Sequence, residues 1–415
     1  MYFCNMINWL EDLPDKQGLL DWHRRSTPLV IHDVNAHIHT PYSFSAFHDM
    51  GQLFDKAQDE NVKVLGINDF YTTDGFEPFH HLSLQYKIFP LFNIEFMGLL
   101  KKEQERGVRV NDPNNPGRMY FCGKGLDFPV SPSSPSHEKI YKLRQESHFQ
   151  VKEMTIKADA VIRQVDPAFR LDFEDIQKRF TMGMVRERHI ARAIRTMVFQ
   201  KFDSTEHRID TLKKIFGGRE PMANMNNHAE IEDEIRSVLL KAGGAAFVKE
   251  DPKAFIEIDE VISIILGAGG IPCYPALLDD KTGEMTGYEE DWEALHQNLQ
   301  QRHIAFIELV PIRNSYKTVK EFVMFFRERG YVITFGTEHN TPAWTPLRVD
   351  TRGDVPFDYK MRKVAYEGAC VIAAHQYLRS KGKEGFINSE GKARLDEEYD
   401  FIELGAAVID RFLHR

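Results

Sequence analysis

"PLVIHDVNAHIHTPYSFSAF", residues 28–47, decides how the rest of the chain is read. An apolar run, Leu29 to Val34, leads into Asn35-Ala36-His37-Ile38-His39-Thr40 and then a Pro-Tyr-Ser turn. Side chains alternate along a strand, so His37 and His39 emerge on one face, about 6–7 Å apart along the strand. Two imidazoles side by side where a strand ends can grip one metal ion. They can also be no more than a polar strand end. The choice turns on whether other strands carry ligand-type side chains to the same place.

Several do. "VKVLGIND" (62–69) and "YKIFPLFNIEF" (86–96) are predicted strands that finish on or beside an acid. "RMYFCG" (118–123) follows the turn-rich "NDPNNPG", and later come "GGIPCYPA" (269–276), "IAFIELVP" (304–311) and "GYVITFGTE" (330–338). Between the last two, Val319, Phe322, Val323 and Phe326 share one helical face. Strand, helix, strand in that rhythm predicts parallel βα units. The strand ends then gather His37, His39, Asp69, Glu95, Glu338 and His339 on one face, where such folds build their sites. That mix of imidazole and carboxylate suits one divalent transition ion, Zn, Mn or Fe.

The middle of the chain differs. From about 135 to 250 it is charged and helical, with Ile190, Ile194, Met197 and Val198 spaced for one face. "GGREPMANMNNHAE" interrupts this as a loop. The pattern at 359–379 (Met361, Val364, Ala365, Gly368, Val371, Ile372) predicts an outer helix, with His375 on its apolar face as a core residue. The expected organisation is an N-terminal segment (1–30), a barrel's first part (31–125), a helical insertion (126–255), the barrel's second part (256–345) and a C-terminal helical extension (346–415).

Bulk properties exclude several functions. The 415 residues are 42% hydrophobic and 28% charged with net charge −9, and no basic run interleaves with aromatics, so no nucleic-acid partner is expected. No stretch approaches the roughly 20 apolar residues of a membrane span. Cys4, Cys122, Cys273 and Cys370 lie far apart and read as reduced thiols. The opening residues lack a basic segment followed by an apolar one, so a cytoplasmic location is expected. Oligomeric state is not legible.

In this arrangement the chain resembles the PHP (polymerase and histidinol phosphatase) superfamily, distorted seven-stranded βα barrels of metal-dependent phosphoesterases. The family's D-x-H-x-H-T-x-x-S-D-G is similar to Asn35 through Ser43, and its T-D-H-D with a following glycine to Asn68-Asp69-Phe70 and Asp74-Gly75. Its strand-ending G-x-E fits Asn93-Ile94-Glu95. "RERHIARA" (186–193) resembles a subgroup's R-P-H-I-A-R-A, "AGGIPCYPA" (268–276) its A-G-G-x-x-x-x-A-H-P, and "GTEHN" (336–340) its G-S-D-x-H. The resemblance covers about residues 30–340. It implies an α/β fold, a distorted (βα)7 barrel of PHP type with a helical insertion and a C-terminal helical extension.

It also implies which ligands remain. Of three family metal sites, one maps onto His37, His39, Glu95 and Glu338, with Glu338 in place of an aspartate. The second would need histidines where Tyr120 and Tyr274 stand, and a phenol with pKa near 10 is a poor ligand. The third falls on Phe44, Phe70 and Asn340, with His339 one residue out of register. One metal ion is therefore expected. Asp69 is a candidate base or a partner for His37 or His39; Tyr274 and His339 are further candidates for proton transfer. Tyr120, His189, Arg192 and Arg313 are candidate substrate-binding residues, and Arg188 also flanks His189. The leading function is a metal-dependent hydrolase of PHP phosphoesterase type acting on a small anionic, phosphorylated or similar metabolite. A single-metal sugar isomerase or lyase and a non-catalytic ligand-binding barrel are the alternatives.

Overall fold

A computed structural model describes residues 9–26, 30–112, 114–249, 254–278, 285–341 and 343–415; Cys4 and Leu29, named above, lie outside the described residues. Seven strands follow the predicted runs: β1 (Asp33–Ile38), β2 (Val62–Phe70), β3 (Phe89–Leu99), β4 (Arg118–Lys124), β5 (Ile271–Ala276), β6 (Phe306–Leu309) and β7 (Val332–Phe335). They pair in chain order. β1, β2 and β3 are mutually parallel, as are β5, β6 and β7, while β4 runs antiparallel to both its neighbours. The reversal has a simple cause. A parallel return must cross back the length of the strand, whereas Leu99 pairs directly with Arg118 and the link between them, with its short helix Lys101–Glu105, closes as a hairpin.

The ring nearly closes between β7 and β1. His39 N–H donates to Glu338 O at 2.8 Å, and Glu338 N–H donates to His37 O at 3.0 Å. Gly336 permits this approach, because a Cβ there would stand 2.1 Å from His37 Cβ. The fold is the α/β (βα)7 barrel that the resemblance implied.

Helices α1 (Lys16–Ser26), α2 (Met50–Asp59), α3 (Phe76–Tyr86) and α4 (Lys101–Glu105) belong to the first half. The insertion supplies α5 (Pro135–Val165), α6 (Phe173–Phe180), α7 (Glu187–Lys201), α8 (Thr205–Ile215) and α9 (His228–Ile235). The second half adds α10 (Ile258–Gly267), α11 (Trp292–Gln301) and α12 (Tyr316–Arg327), then α13 (Tyr359–Ser380) and α14 (Glu398–Leu413). Among the described residues no helix is long and apolar enough to cross a membrane. The loop expected at "GGREPMANMNNHAE" ends at Asn227, whose side chain accepts from Ala229 N and Glu230 N and so starts α9.

Two apolar cores form. One fills the barrel and its outer helices; the other lies wholly within the insertion. α5 joins them: Ile140 and Leu143 pack in the first, Val151, Met154, Ala158 and Ile162 in the second. The insertion rests on the barrel mouth through Met182 N to Pro41 O and Met184 N to Tyr42 O, both at 3.0 Å, and through Arg144 on Asp74. α13 departs from expectation. It is buried along most of its length rather than outermost, because α14 covers the face that the barrel does not. His375 is core as read, bonded to Gly269 O at 2.7 Å and accepting from Phe386 N at 2.9 Å.

Candidate metal centre

The end of β1 and the middle of β3 bring three buried side chains together. His37 Nε2 and His39 Nε2 stand 3.4 Å apart. Glu95 places Oε2 3.5 Å from His39 Nε2 and Oε1 3.9 Å from His37 Nε2. Metal–nitrogen bonds of about 2.0–2.1 Å at tetrahedral angles put two imidazole nitrogens about 3.3–3.4 Å apart. The three donor atoms therefore have the size of one face of a metal's coordination shell. Chemically they fit as well. His39 is held well below its ordinary pKa by burial and then by His37, so its ring is neutral, as a ligand must be. Glu95 is pushed well up by burial and by the charges of Glu338 and Glu308, a cost that a bound cation offsets.

Each imidazole is fixed from behind. His37 Nδ1 lies 2.6 Å from Glu308 Oε2 on β6, which turns the Nε2 lone pair toward His39 and Glu95. The other oxygen of Glu308 takes Lys124 Nζ at 2.5 Å, and Lys124 also donates to Asn68 Oδ1 at 3.1 Å. Burial alone would raise Glu308, but Lys124 and then His37 outweigh it and hold the carboxyl at about 2. His37, Cys122 and Glu308 form a second ligand-type group. There the Lys124 ammonium already neutralises Glu308, and burial pushes the Cys122 thiol well up, so the group is satisfied without a second ion.

His39 Nδ1 meets Ser43 Oγ at 3.2 Å, and Ser43 donates to Asp69 Oδ1 at 2.5 Å. Asp69 also accepts from Thr40 N at 2.7 Å and from the Thr40 hydroxyl. Burial raises Asp69 to about 7 against these three bonds. Asp69 thus reaches His39 only through Ser43 and does not touch His37, which differs from the direct contact expected. The direct partner, Glu308, escaped the sequence reading. Its signal was there: one acid inside the apolar run "IAFIELVP", matched by Lys124 at the end of β4.

The remaining candidates separate. Glu338 lies near enough for its charge to raise Glu95. Its carboxylate, however, takes Arg313 Nη2 at 2.5 Å and Asn340 Nδ2 at 2.7 Å, outside the three-donor group. Arg313 is correspondingly spent. Tyr120 shares the inner face of β4 with Cys122, which pairs with Glu95, and burial, Asp112 and Glu95 push its phenol up. Tyr274 is turned the other way. Its neighbour Cys273 is the one that senses Glu308 and Lys124, while Tyr274 Oη donates to Glu289 Oε1 at 2.7 Å.

His339 stacks on Phe47 and is held by Thr337 Oγ1 at 2.7 Å and Thr345 O at 3.0 Å, a structural arrangement. His189 Nδ1 accepts from Arg186 N at 2.9 Å and so caps α7. Arg192 reaches His48 Nδ1 at 2.6 Å, fastening α7 to the barrel loop. Phe44 stacks on His39 at 4.6 Å, and Phe70 lies 6.1 Å from Phe44, so the region where the resemblance implied a third metal site is apolar.

No family model matches the chain, and no curated protein matches it. Solved structures do. One, from Bifidobacterium adolescentis, carries a provisional assignment as a metal-dependent phosphoesterase; the TM-score is 0.53 at 14% identity, covering 81% of this chain and 96% of that one. Another is an amidohydrolase from Chromobacterium violaceum, solved with bound sulfate and no metal, at TM-score 0.50 and 14% identity over 80% of this chain and 96% of that one. At such identity the likeness is one of fold.

Proposed function

We propose that the chain is a metal-dependent hydrolase of the phosphoesterase type, acting on a small anionic substrate with one divalent transition ion, Zn, Mn or Fe. The observation that carries this reading is the buried triangle of His37, His39 and Glu95, whose donor atoms are spaced 3.4–3.9 Å apart. The assignments of two proteins of like fold, one as a metal-dependent phosphoesterase and one as an amidohydrolase, support it. When bound, the ion would supply Lewis acidity and a water whose pKa, on zinc, falls to about 7.

The chain's own residues do the rest. Glu308 and the Ser43–Asp69 pair fix the two imidazoles so that both Nε2 atoms converge. Tyr120, whose phenol burial keeps protonated, shares the face of Glu95 and would donate a hydrogen bond to a substrate oxygen. Phe44 and Phe70 wall one side of the site against water.

Elemental analysis of the purified protein beside a His37→Ala/His39→Ala variant tests the centre. About one equivalent is expected in the parent and none in the variant. Phosphate release from generic phosphoesters by the metal-loaded parent, absent in the variant, tests the activity. A parent that takes up no Zn, Mn or Fe would sink the reading.

A further inference from the structure

Arg188 stands in the first turn of α7, where the insertion overhangs the histidine pair. Among the described residues its Nη1 is buried without a hydrogen-bond partner. The arginines around it are engaged: Arg192 with His48, Arg313 with Glu338, Arg144 with Asp74, Arg195 with Glu232. Nearby carboxylates are oversubscribed. Glu187 already serves Arg186, Arg236 and Lys241, and Asp233 serves Arg236. Three cations thus already share two carboxylates, and the further charge of Arg188 sits in a half-buried place where it is costly.

Position says what would balance it. The Arg188 guanidinium lies over the Phe44 ring at 5.7 Å, and Phe44 stacks on His39. Arg186 lies over Phe70 at 4.8 Å. Phe44 and Phe70, the apolar wall beside the histidine pair, are thus roofed by guanidinium groups. Arg188 also lowers His39 and senses Tyr120, so it faces the same space as both.

We propose that Arg188 is the substrate's anion receptor, its Nη1 donating to an oxygen of a phosphoryl or carboxylate group held past the edge of the Phe44 ring, beside the histidine pair. This rests on the hydrolase reading only in calling the anion part of a substrate. Guanidinium is matched to such oxyanions and is always charged.

The test uses the full chain stripped of metal by a chelator. Inorganic phosphate and, separately, acetate are titrated calorimetrically into the parent, Arg188→Gln and Arg188→Lys. The parent is expected to bind at least one of them saturably, at least about 10-fold more tightly than Arg188→Gln, with Arg188→Lys between. Tighter phosphate assigns a phosphoryl group, tighter acetate a carboxylate. Equal affinity in parent and Arg188→Gln, or no saturable binding in the parent, overturns the proposal. Arg188→Lys keeps the charge and so keeps the test open if Arg188→Gln does not fold. Because no metal is present, a chain that lacks the metal centre yet loses anion binding on Arg188→Gln keeps the subsite and sinks only the hydrolase reading.

Discussion

At the scale of single residues, the centre depends on side chains that never touch a substrate. Glu308 holds His37 by its Nδ1, so Glu308→Gln is expected to weaken zinc or manganese binding about 10–100-fold, read by calorimetry on folded protein. Affinity equal to the parent's would show that Glu308 does not orient the ligand. Lys124→Met leaves Glu308 buried without its cation and should cost about 3–5 kcal/mol in chemical denaturation. Glu289 offers a test away from the metal centre. Burial raises it from 4.5 to about 8, although it accepts from Tyr274, Leu277 N and Thr286. Between those values the folded state holds a proton that the unfolded state has lost, so stability declines as pH rises through the window and levels off above it. Glu289→Gln keeps the bonds from Tyr274 and Leu277 N and can donate to the Thr286 hydroxyl in place of accepting from it, without the charge. Its melting temperature should exceed the parent's at pH 8, and the gap should shrink toward pH 5; an unchanged gap would place the carboxyl's pKa elsewhere.

At the scale of elements, close backbone approach decides the architecture. A Cβ at Gly405 of α14 would stand 1.9 Å from Cys370 O, and one at Gly368 of α13 would stand 2.1 Å from Ile333 O on β7. α13 is thus wedged between sheet and α14 at two points without side chains. Gly405→Ala is expected to lower the melting temperature by several degrees in calorimetry while leaving metal stoichiometry intact, because the contact is remote from the histidines. Gly336→Ala should lower both, since the new methyl would overlap His37 itself. A Gly336→Ala protein with full metal content would separate closure of the ring from formation of the centre. The strands were legible because each is an apolar run with its own punctuation. The burial of α13 was less so: an amphipathic pattern reports one core-facing stripe and says nothing of a second helix, α14, that lands on the other side.

For the whole molecule, two cores joined by α5 predict two levels of stability. In hydrogen exchange read by mass spectrometry, α6 to α9 are expected to open together and before β1, β3 and β6, and added metal should slow exchange in β1 and β3 more than in the insertion. Uniform exchange across both cores would make them one cooperative unit. The sequence alone determined the seven strands, each an apolar run between turns, and that His37 and His39 share a face, because side chains alternate along a strand. Contact over long separations was decided only by the tertiary structure: Glu308 behind His37 is 271 residues away, and Lys124 reaches Glu308 across 184. The same holds for Tyr274, read as facing the centre but turned to Glu289, since a slip of one residue along a strand exchanges its two faces. Arg188 belongs with these. As letters in a helix it matched its neighbours Arg186 and Arg192, and only the packing of α7 over Phe44, with Glu187 and Asp233 already shared, left its Nη1 without a partner among the described residues.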